Sequence, residues 1–270
     1  MVKNDLSVGE EMTQSPLIIA HRGDSSHAPE NTLAAFQMAI DAGADGVEFD
    51  VRLSKDGVPV VIHDGDLRRT GGQNIMISEL TAQELGNVDV GSWFNKRFPE
   101  RSDPAFSKET IPTLAEVLKL LKQTNGPIYI ELKCGINNHE ALAIAVCDIL
   151  RGSPQLSQMI VKSFKLATIP VVRFYLPEVQ TAALFEPTIL DLVRSKKHLI
   201  TVAKEFGADQ LSLHTSLATK KFTALAKAAG MPITIWTADN VKWVARCCER
   251  EIGALITNDP AKLLPARGGN

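Results

Sequence analysis

Eight short apolar runs, rich in β-branched residues, recur along the chain between stretches whose apolar residues have helical spacing. Such runs are typical of strands buried on both faces, and their alternation with helices is typical of a parallel sheet. Eight units of this kind predict an α/β fold, a single (β/α)8 barrel of TIM type, because these barrels routinely reach about 250 residues as one domain. The predicted strands span residues 17–20, 46–50, 128–133, 159–163, 179–184, 210–214, 232–236 and 254–257.

A ninth extended run, residues 58–62, follows the second predicted strand. The Asp56-Gly57 step between alternating residues is a strong hairpin signal, so we predict an antiparallel β-hairpin arm that rises from the second barrel strand. A two-residue turn at Asp56 and Gly57 places Asp50 opposite His63, and a change of the turn by one residue moves the partner of His63 only to Phe49. The arm is therefore expected to bring His63 beside the end of the second strand.

The segment after the arm, residues 66–112, contains no predicted barrel strand and is expected to form a small insertion over the barrel mouth. It holds a Gly-Gly pair and a short helix capped by Thr81, and a second cap at Thr113 predicts the helix before the third barrel strand. The barrel domain is then expected to span residues 16–265, and the polar and acidic residues 1–15 are expected to form a disordered tail. The insertion also carries an aromatic cluster of Trp93, Phe94 and Phe98.

The composition is that of an ordinary globular protein, with 44% hydrophobic residues, 22% charged residues and a formal net charge of −2. This balance predicts a large buried core and argues against a nucleic-acid partner. No apolar run reaches the roughly 18 residues that a membrane span needs, and residues 1–15 lack the basic and apolar regions of a secretory signal. The four cysteines lack the spacing of a zinc site and are expected to be reduced, packed thiols, so we expect a soluble, cytoplasmic protein.

Acidic residues are concentrated where the second and third predicted strands end, which is where barrel active sites are built. Glu48 and Asp50 lie two residues apart, as do Glu131 and Lys133, so each pair can point into the barrel. Three converging carboxylates would repel one another, whereas a hard divalent cation accepts several carboxylate oxygens directly. This pattern predicts a site for Mg²⁺ or Ca²⁺. The alternative is that one acidic pair forms structural salt bridges with Lys133 and Arg52.

Basic residues and histidines surround the predicted cation. Arg22 and Lys133 would attract an anion, and the planar guanidinium of Arg22 matches phosphate oxygens. His21 and His63 arrive from different segments and supply one base and one acid, as cleavage of an ester requires. These residues together predict a metal-dependent reaction on a phosphate ester.

In this order along the chain, these residues resemble the glycerophosphodiester phosphodiesterase family. The similarity extends from Leu17 to Leu264 and is highly specific, because many short segments match in sequence. The matching segments are His21-Arg22-Gly23, Pro29-Glu30-Asn31-Thr32, Glu48-Phe49-Asp50, residues 55–64, 111–114 and 130–133, Ser163-Phe164, Trp236-Thr237 and residues 256–260.

The resemblance implies a barrel with an insertion after the second strand, and it implies roles for the residues named above. The three carboxylates are the implied metal ligands, the two histidines the acid/base pair, and Arg22 and Lys133 the phosphate ligands. Trp236 is the implied wall of the substrate pocket, and Glu30 and Asn31 have supporting roles. One departure from the family pattern is Lys162, where a polar uncharged residue is expected, and it bears on substrate preference more than on activity.

The activity implied by the resemblance is hydrolysis of a glycerophosphodiester, such as glycerophosphocholine or glycerophosphoethanolamine, to glycerol 3-phosphate and an alcohol. The expected partner is thus a small molecule, with no nucleic acid and no stable membrane insertion. A first alternative is lysophospholipase D-type hydrolysis of lysophospholipids, for which the aromatic cluster of the insertion could supply an apolar groove. A second is a noncatalytic barrel that binds phosphate esters, but such a sensor has no use for two histidines.

Overall fold

The computed structural model describes residues 15–135, 137–187 and 196–267. Within these ranges, eight parallel strands close into a barrel through the pairing of β1 with β2, and a ninth strand, β3, pairs antiparallel with β2. The predicted TIM-type barrel with a hairpin arm is therefore confirmed. The strands are β1 (Leu17–His21), β2 (Gly46–Leu53), β3 (Pro59–Val61), β4 (Ile128–Leu132), β5 (Met159–Ser163), β6 (Gln180–Phe185), β7 (Gln210–His214), β8 (Ile233–Trp236) and β9 (Ala254–Thr257).

Helices outside the insertion cover the barrel and bury apolar side chains against it. The pattern is clear in the helix before β4, where four apolar side chains are buried on one face and Thr113 forms the expected capping box at the N-terminus. β4, β5 and β9 are buried along their whole length, as strands covered on both faces must be. The helices are α1 (Leu33–Asp41), α2 (Ala82–Leu85), α3 (Ser92–Arg97), α4 (Leu114–Leu121), α5 (His139–Leu150), α6 (Thr168–Tyr175), α7 (Lys196–Glu205), α8 (Lys220–Ala228), α9 (Lys242–Arg250) and α10 (Pro260–Leu263).

The hairpin arm differs from its predicted register by one residue. Its loop has three residues between Ser54 and Val58, whose backbones pair, and Gly57 adopts a φ of 77° at the last loop position. A three-residue loop that ends in a left-handed glycine is a common hairpin connection, and it replaces the expected two-residue turn. Asp50 therefore pairs with Ile62 rather than with His63.

The segment from residue 66 to 112 folds as short helical turns around its own small core. Thr81 precedes α2 and forms the expected capping box, and the aromatic cluster lies on α3 and at its C-terminal end. Phe94 is completely buried and packs at a ring distance of 5.6 Å against Phe106 and 5.0 Å against Phe98. This packing anchors the aromatic cluster against the barrel, near α1.

Three further predictions concern the N-terminal tail, the cysteines and membrane-spanning segments. The predicted tail, residues 1–15, lies outside the described residues apart from Ser15. All four cysteines are free thiols, and burial raises the pKa of Cys147 to about 11 and that of Cys247 to about 12. Among the described helices, none combines the length and the apolar character needed to cross a membrane.

Candidate active site

Three acidic side chains from two neighbouring strands meet inside the barrel. Glu48 and Asp50 share the inner face of β2, and Glu131 on β4 lies directly beside Asp50 in the strand register. One carboxylate oxygen of each residue lies within 4.8 Å of the other two, and all three residues are buried. The structure therefore brings together the three residues predicted to bind a metal.

Burial and neighbouring charges shift the pKa values of Glu131 and Asp50 in opposite directions. Burial and the neighbouring charge of Asp50 raise the pKa of Glu131. Burial also opposes ionisation of Asp50, but the cations of Arg22 and Lys133 outweigh it and lower the pKa of Asp50. Like charges in one buried site favour either a proton on Glu131 or an added cation.

The set of oxygen atoms at this site fits a hard divalent cation. Both carboxylate oxygens of Glu48, Oδ1 of Asp50 and Oε1 of Glu131 are buried and lack a hydrogen-bond donor in good geometry. A buried carboxylate oxygen without an aligned donor carries a desolvation cost that coordination to a cation would offset. Because Mg²⁺ and Ca²⁺ both prefer carboxylate oxygens, this cluster is a candidate metal site.

Two lysine ammonium groups lie against the same carboxylates. Lys133 Nζ is 2.5 Å from Glu131 Oε1 and 3.3 Å from Asp50 Oδ1. Lys162 on β5 is 2% exposed, and its Nζ lies 2.8 Å from Glu48 Oε1 and 4.0 Å from Glu131 Oε2. These contacts are ion pairs between side chains that are buried or nearly so. The carboxylates are thus partly neutralised by the chain itself.

Arg22 reaches the carboxylates from the loop after β1. Its Nε lies 3.1 Å from Asp50 Oδ2, and its Nη1 donates to Glu30 Oε1 at 2.8 Å. Asn31 Nδ2 donates to the same oxygen of Asp50 at 3.0 Å. Arg22 and Asn31 have φ values of 57° and 59°, a strained left-handed conformation, and a backbone hydrogen bond joins them. The residues expected to support the site thus contact Arg22 and Asp50 directly.

Gly23 allows this loop to pack closely against α1. Its φ is 81°, and a Cβ on this residue would lie 2.5 Å from the backbone carbon of Ala35. Only glycine combines that conformation with so close an approach of two backbones. The packing of Gly23 therefore restrains His21 and Arg22, which immediately precede it.

His21 is oriented by residues that follow β8 and β9. Its Nδ1 lies 2.6 Å from Asn258 Oδ1, while Asn258 Nδ2 donates to Asp239 Oδ2 at 2.8 Å. Since Asn258 Oδ1 can only accept, His21 Nδ1 carries the hydrogen, and the other ring nitrogen, Nε2, lies 3.8 Å from Glu48 Oε2. Burial lowers the pKa of His21 and so favours its neutral form.

His63 follows β3 and lies beside Asp50, whose carbonyl accepts a hydrogen bond from the residue before the histidine. Its Nδ1 bonds Asp64 Oδ1 at 2.7 Å, and burial lowers the pKa of His63 although both acids oppose this. Arg52 restrains the backbone here, because its Nε donates to His63 O at 2.8 Å and its Nη1 to Lys133 O at 3.2 Å. The alternative to a metal site was a structural salt bridge between an acidic residue and Arg52. Instead, Arg52 donates to two backbone carbonyls.

Trp236 contributes to an aromatic group at the ends of β5, β7 and β8. Its ring lies 5.5 Å from that of Phe164 and 5.4 Å from that of His214, both in edge-to-face orientation. Lys133 Nζ lies 5.6 Å from the centre of the Phe164 ring. The aromatic group is thereby connected to the carboxylate cluster through Lys133.

The chain matches the model of the glycerophosphoryl diester phosphodiesterase family over residues 21–262. This match spans most of the barrel and includes every residue of the candidate site.

The chain belongs to this family.

Several proteins of this family align with the chain over most of its length. A glycerophosphodiester phosphodiesterase of Caldanaerobacter subterraneus is 30% identical over 248 residues, which cover 92% of this chain and 96% of that protein. A glycerophosphodiester phosphodiesterase of Bacillus subtilis is 27% identical over 252 residues, or 90% of this chain and 84% of the relative. A phosphodiesterase of Oleispira antarctica, solved in complex with its product sn-glycerol-3-phosphate, is 28% identical, with a TM-score of 0.81 over 94% of this chain and 98% of that chain.

Family membership confirms the resemblance seen in the sequence, and the chain is a glycerophosphodiester phosphodiesterase, a hydrolase. It also favours an enzyme over the noncatalytic alternative. The structure adds residues that sequence reasoning left without a role at this site. Lys162 could have been suspected, because a charged residue inside a doubly buried strand must face other polar groups. Asn258 lay within a matching segment, but only the fold shows that it contacts His21, 237 residues away in the sequence.

Proposed function

We propose that this enzyme hydrolyses glycerophosphodiesters to glycerol 3-phosphate and an alcohol, with one divalent cation bound by Glu48, Asp50 and Glu131. The observation that carries the proposal is the convergence of these three buried carboxylates, with His21 beside Glu48 and His63 beside Asp50. The complex of the Oleispira antarctica relative with sn-glycerol-3-phosphate supports the proposed product.

The carboxylate cluster would hold the cation, and Arg22 and Lys133 would hold the phosphate. A bound cation supplies positive charge next to the phosphate oxygens, where negative charge builds up during the reaction. Arg22 and Lys133 have side chains that are 18% and 16% exposed, so they remain partly accessible while they contact Asp50. Their donors can therefore reach an anion at the barrel mouth without leaving the site.

The two histidines differ in the partner of Nδ1, and this difference suggests their roles. His21 bonds the neutral amide of Asn258, which stabilises an imidazolium less than a carboxylate does, so His21 suits the base that takes a proton from the nucleophile. His63 bonds the carboxylate of Asp64, which does stabilise the imidazolium, so His63 suits the acid that protonates the leaving oxygen. Each ring would then act through Nε2, because Nδ1 is already bonded.

Arg69 supports this arrangement from the insertion. Its guanidinium donates to both oxygens of Glu30 and to Asp64 Oδ2, at distances of 2.6 to 2.8 Å. Burial opposes ionisation of Asp64, but the hydrogen bonds from Arg69 and His63 outweigh it and lower the pKa of Asp64. Arg69 therefore keeps Asp64 charged and fixes its position beside His63.

A chelation assay tests the proposed function and the metal separately. Release of glycerol 3-phosphate from glycerophosphocholine and glycerophosphoethanolamine should stop in excess EDTA and return when Mg²⁺ or Ca²⁺ is added. Unchanged release in EDTA would rule out the metal, and no release from any glycerophosphodiester with any divalent ion would rule out the reaction.

Leaving-group chemistry tests the two histidine roles. Replacing either histidine by Ala should lower turnover of glycerophosphocholine by at least roughly a hundredfold. With a p-nitrophenyl ester, whose leaving group needs no protonation, His63→Ala should recover most of the activity and His21→Ala should not. Equal recovery in both variants would refute the assignment.

Hydrolysis of lysophospholipids is the second candidate, since Trp93 and Phe98 line a cavity in the insertion. The same cavity contains several cationic side chains, and Phe94, the most buried member of the cluster, is used in packing. These features support a small polar substrate. Rates on glycerophosphocholine and lysophosphatidylcholine, measured side by side, distinguish the two candidates.

A further inference from the structure

A cavity of about 700 Å³ lies between the loop after β1 and helix α3 of the insertion. Its lining includes two aromatic side chains and four basic ones. These are Trp93, Phe98, Arg69, Lys96, Arg97 and Arg101. The cavity is thus both strongly basic and partly aromatic.

The cavity adjoins the candidate active site. Asn258 lines it and also bonds His21 Nδ1, and Glu30 lines it and also bonds Arg22 Nη1. A phosphodiester held at Arg22 could therefore place one of its two ester arms in the cavity. The other arm would point towards the remaining part of the barrel mouth, where Trp236 lies.

The positive charge of the cavity is only partly neutralised. Arg69 is paired with Glu30, the one carboxylate among the lining residues, and with an acid outside the lining. Arg101 donates to the backbone carbonyl of Ser26 at 2.8 Å and lies 3.4 Å from the exposed carboxylate of Glu100.

Lys96 and Arg97 carry the remaining charge. In the part of the chain that the structure describes, neither forms an ion pair with a carboxylate. Asp89 attracts Lys96 only at longer range, and Arg97 stacks on the Phe98 ring at 5.9 Å. An unneutralised basic pocket attracts anions and disfavours cations.

We propose that this cavity binds the head-group alcohol of the substrate and selects head groups that carry a phosphate or carboxylate of their own. The inference rests on the proposed function and specifies its substrate class. Lys96 and Arg97 would bind the second anionic group, and the side chains of Trp93 and Phe98 would border the space that the carbon skeleton fills. The glycerol arm is uncharged and forms no ion pair with these basic side chains. It would therefore occupy the side of the mouth near Trp236. Cationic choline and ethanolamine head groups would be disfavoured.

A matched pair of substrates tests the head-group assignment. Glycerophosphoinositol 4-phosphate and glycerophosphoinositol have the same scissile diester and differ only in the head-group phosphate. At low ionic strength, kcat/KM should favour the phosphate-bearing compound by at least about tenfold, and the preference should shrink as salt is added. Equal values for the two compounds, or faster turnover of glycerophosphocholine than of either, would overturn the proposal.

Variants localise the effect to the cavity. The double variant Lys96→Gln, Arg97→Gln should reduce the preference of kcat/KM for the phosphate-bearing compound at least about fivefold. The control Lys119→Gln, Lys122→Gln removes the same charge from the exposed end of α4 and should leave the preference unchanged. An equal loss of preference in both double variants would show that net charge, and not the cavity, is responsible.

A binding measurement separates this inference from the proposed function. The two inositol compounds are titrated calorimetrically into the His63→Ala variant, which reports head-group selection whether or not the diester is cleaved. Tighter binding of the phosphate-bearing compound supports the assignment even if the enzyme releases no glycerol 3-phosphate. Equal affinities would overturn it even if all substrates are hydrolysed.

Discussion

Lys162 Nζ lies 2.8 Å from Glu48 Oε1, with both side chains almost completely shielded from solvent. The contact places a fixed positive charge on a carboxylate that is also a proposed metal ligand. Arg22, Lys133 and Lys162 are thus three cationic side chains in contact with the three carboxylates of the cluster. The chain's own charges therefore balance in the cluster, and a cation bound at the proposed site would share Glu48 with an ammonium group.

The first prediction is that Lys162 weakens metal binding. The charge-removing variant Lys162→Gln should bind Ca²⁺ or Mg²⁺ at least about tenfold more tightly, because a repulsive charge close to the site is lost. Its metal-free form should melt at a lower temperature, since Glu48 then has no cationic partner at this position. Calorimetric titration and melting curves with and without metal measure both effects.

The exposed Lys119→Gln variant is the control for that measurement, because it removes the same charge at the surface. Lys162→Met adds a second test, since it removes the charge but keeps an unbranched side chain of similar length. If both Lys162 variants bind metal with the wild-type affinity, the ammonium group does not compete with the cation.

The second prediction concerns the acidic limb of the pH profile. His21 and His63 both have a pKa below the ordinary value of 6.5, chiefly because they are buried. The base must be neutral to accept a proton, so kcat/KM falls only as the pH drops through this lowered pKa. The midpoint of the acidic limb should therefore lie below pH 6.5. A midpoint above this value would mean that His21 does not titrate as its buried site suggests.

The third prediction uses Asn258, whose amide oxygen accepts from His21. In the variant Asn258→Asp the acceptor becomes a carboxylate, which stabilises the imidazolium and raises the pKa of His21. The acidic limb of kcat/KM should then move to higher pH. Asn258→Ala removes the acceptor, and we expect it to lower kcat by about ten- to a hundredfold, the range that lost positioning interactions commonly cost.

The pH profile separates positioning from a general structural role. A protein damaged in its fold would lose activity at every pH, without a shift of the midpoint. An unshifted acidic limb in Asn258→Asp would show that His21 is not the base, or that Asn258 does not control its protonation.

The barrel and the carboxylates could be predicted because both follow from local patterns. Doubly buried strands have an unmistakable apolar signature, and the two-residue spacing of Glu48 and Asp50 determines that they share one face of a strand. The alignment of Glu131 with Asp50 required only that their strands be neighbours.

Other features depend on details that local patterns do not specify. The hairpin register was wrong by one residue, because Asp56-Gly57 suits both a two-residue and a three-residue loop. The contacts of Asn258 with His21, and of Arg69 with Glu30, join segments that are remote in sequence. Their partners become visible only when the barrel closes and the insertion packs over its mouth.

The last prediction tests whether Gly23 positions the catalytic loop. Gly23→Ala combines a left-handed φ with a Cβ placed 2.5 Å from the Ala35 backbone, so it should destabilise the fold by well over about 1 kcal/mol. Gly43 offers a matched control, because its φ of 78° is similar but a Cβ there would meet nothing within 4 Å. Gly43→Ala should thus lower the free energy of unfolding only by the cost of a left-handed φ for alanine, about 1 kcal/mol. Urea unfolding gives the loss in free energy of unfolding for each variant. The difference between the two losses is the cost of the steric clash at Gly23.

Activity adds a second readout, because Gly23 adjoins His21 and Arg22 whereas Gly43 ends α1 far from them in sequence. At temperatures where both variants remain folded, Gly23→Ala should lower kcat/KM at least about tenfold, since small displacements of reacting groups are costly. Gly43→Ala should retain the wild-type value. If the two alanine variants unfold at the same urea concentration and turn over substrate equally, the close approach of Gly23 to Ala35 does not restrain the catalytic loop.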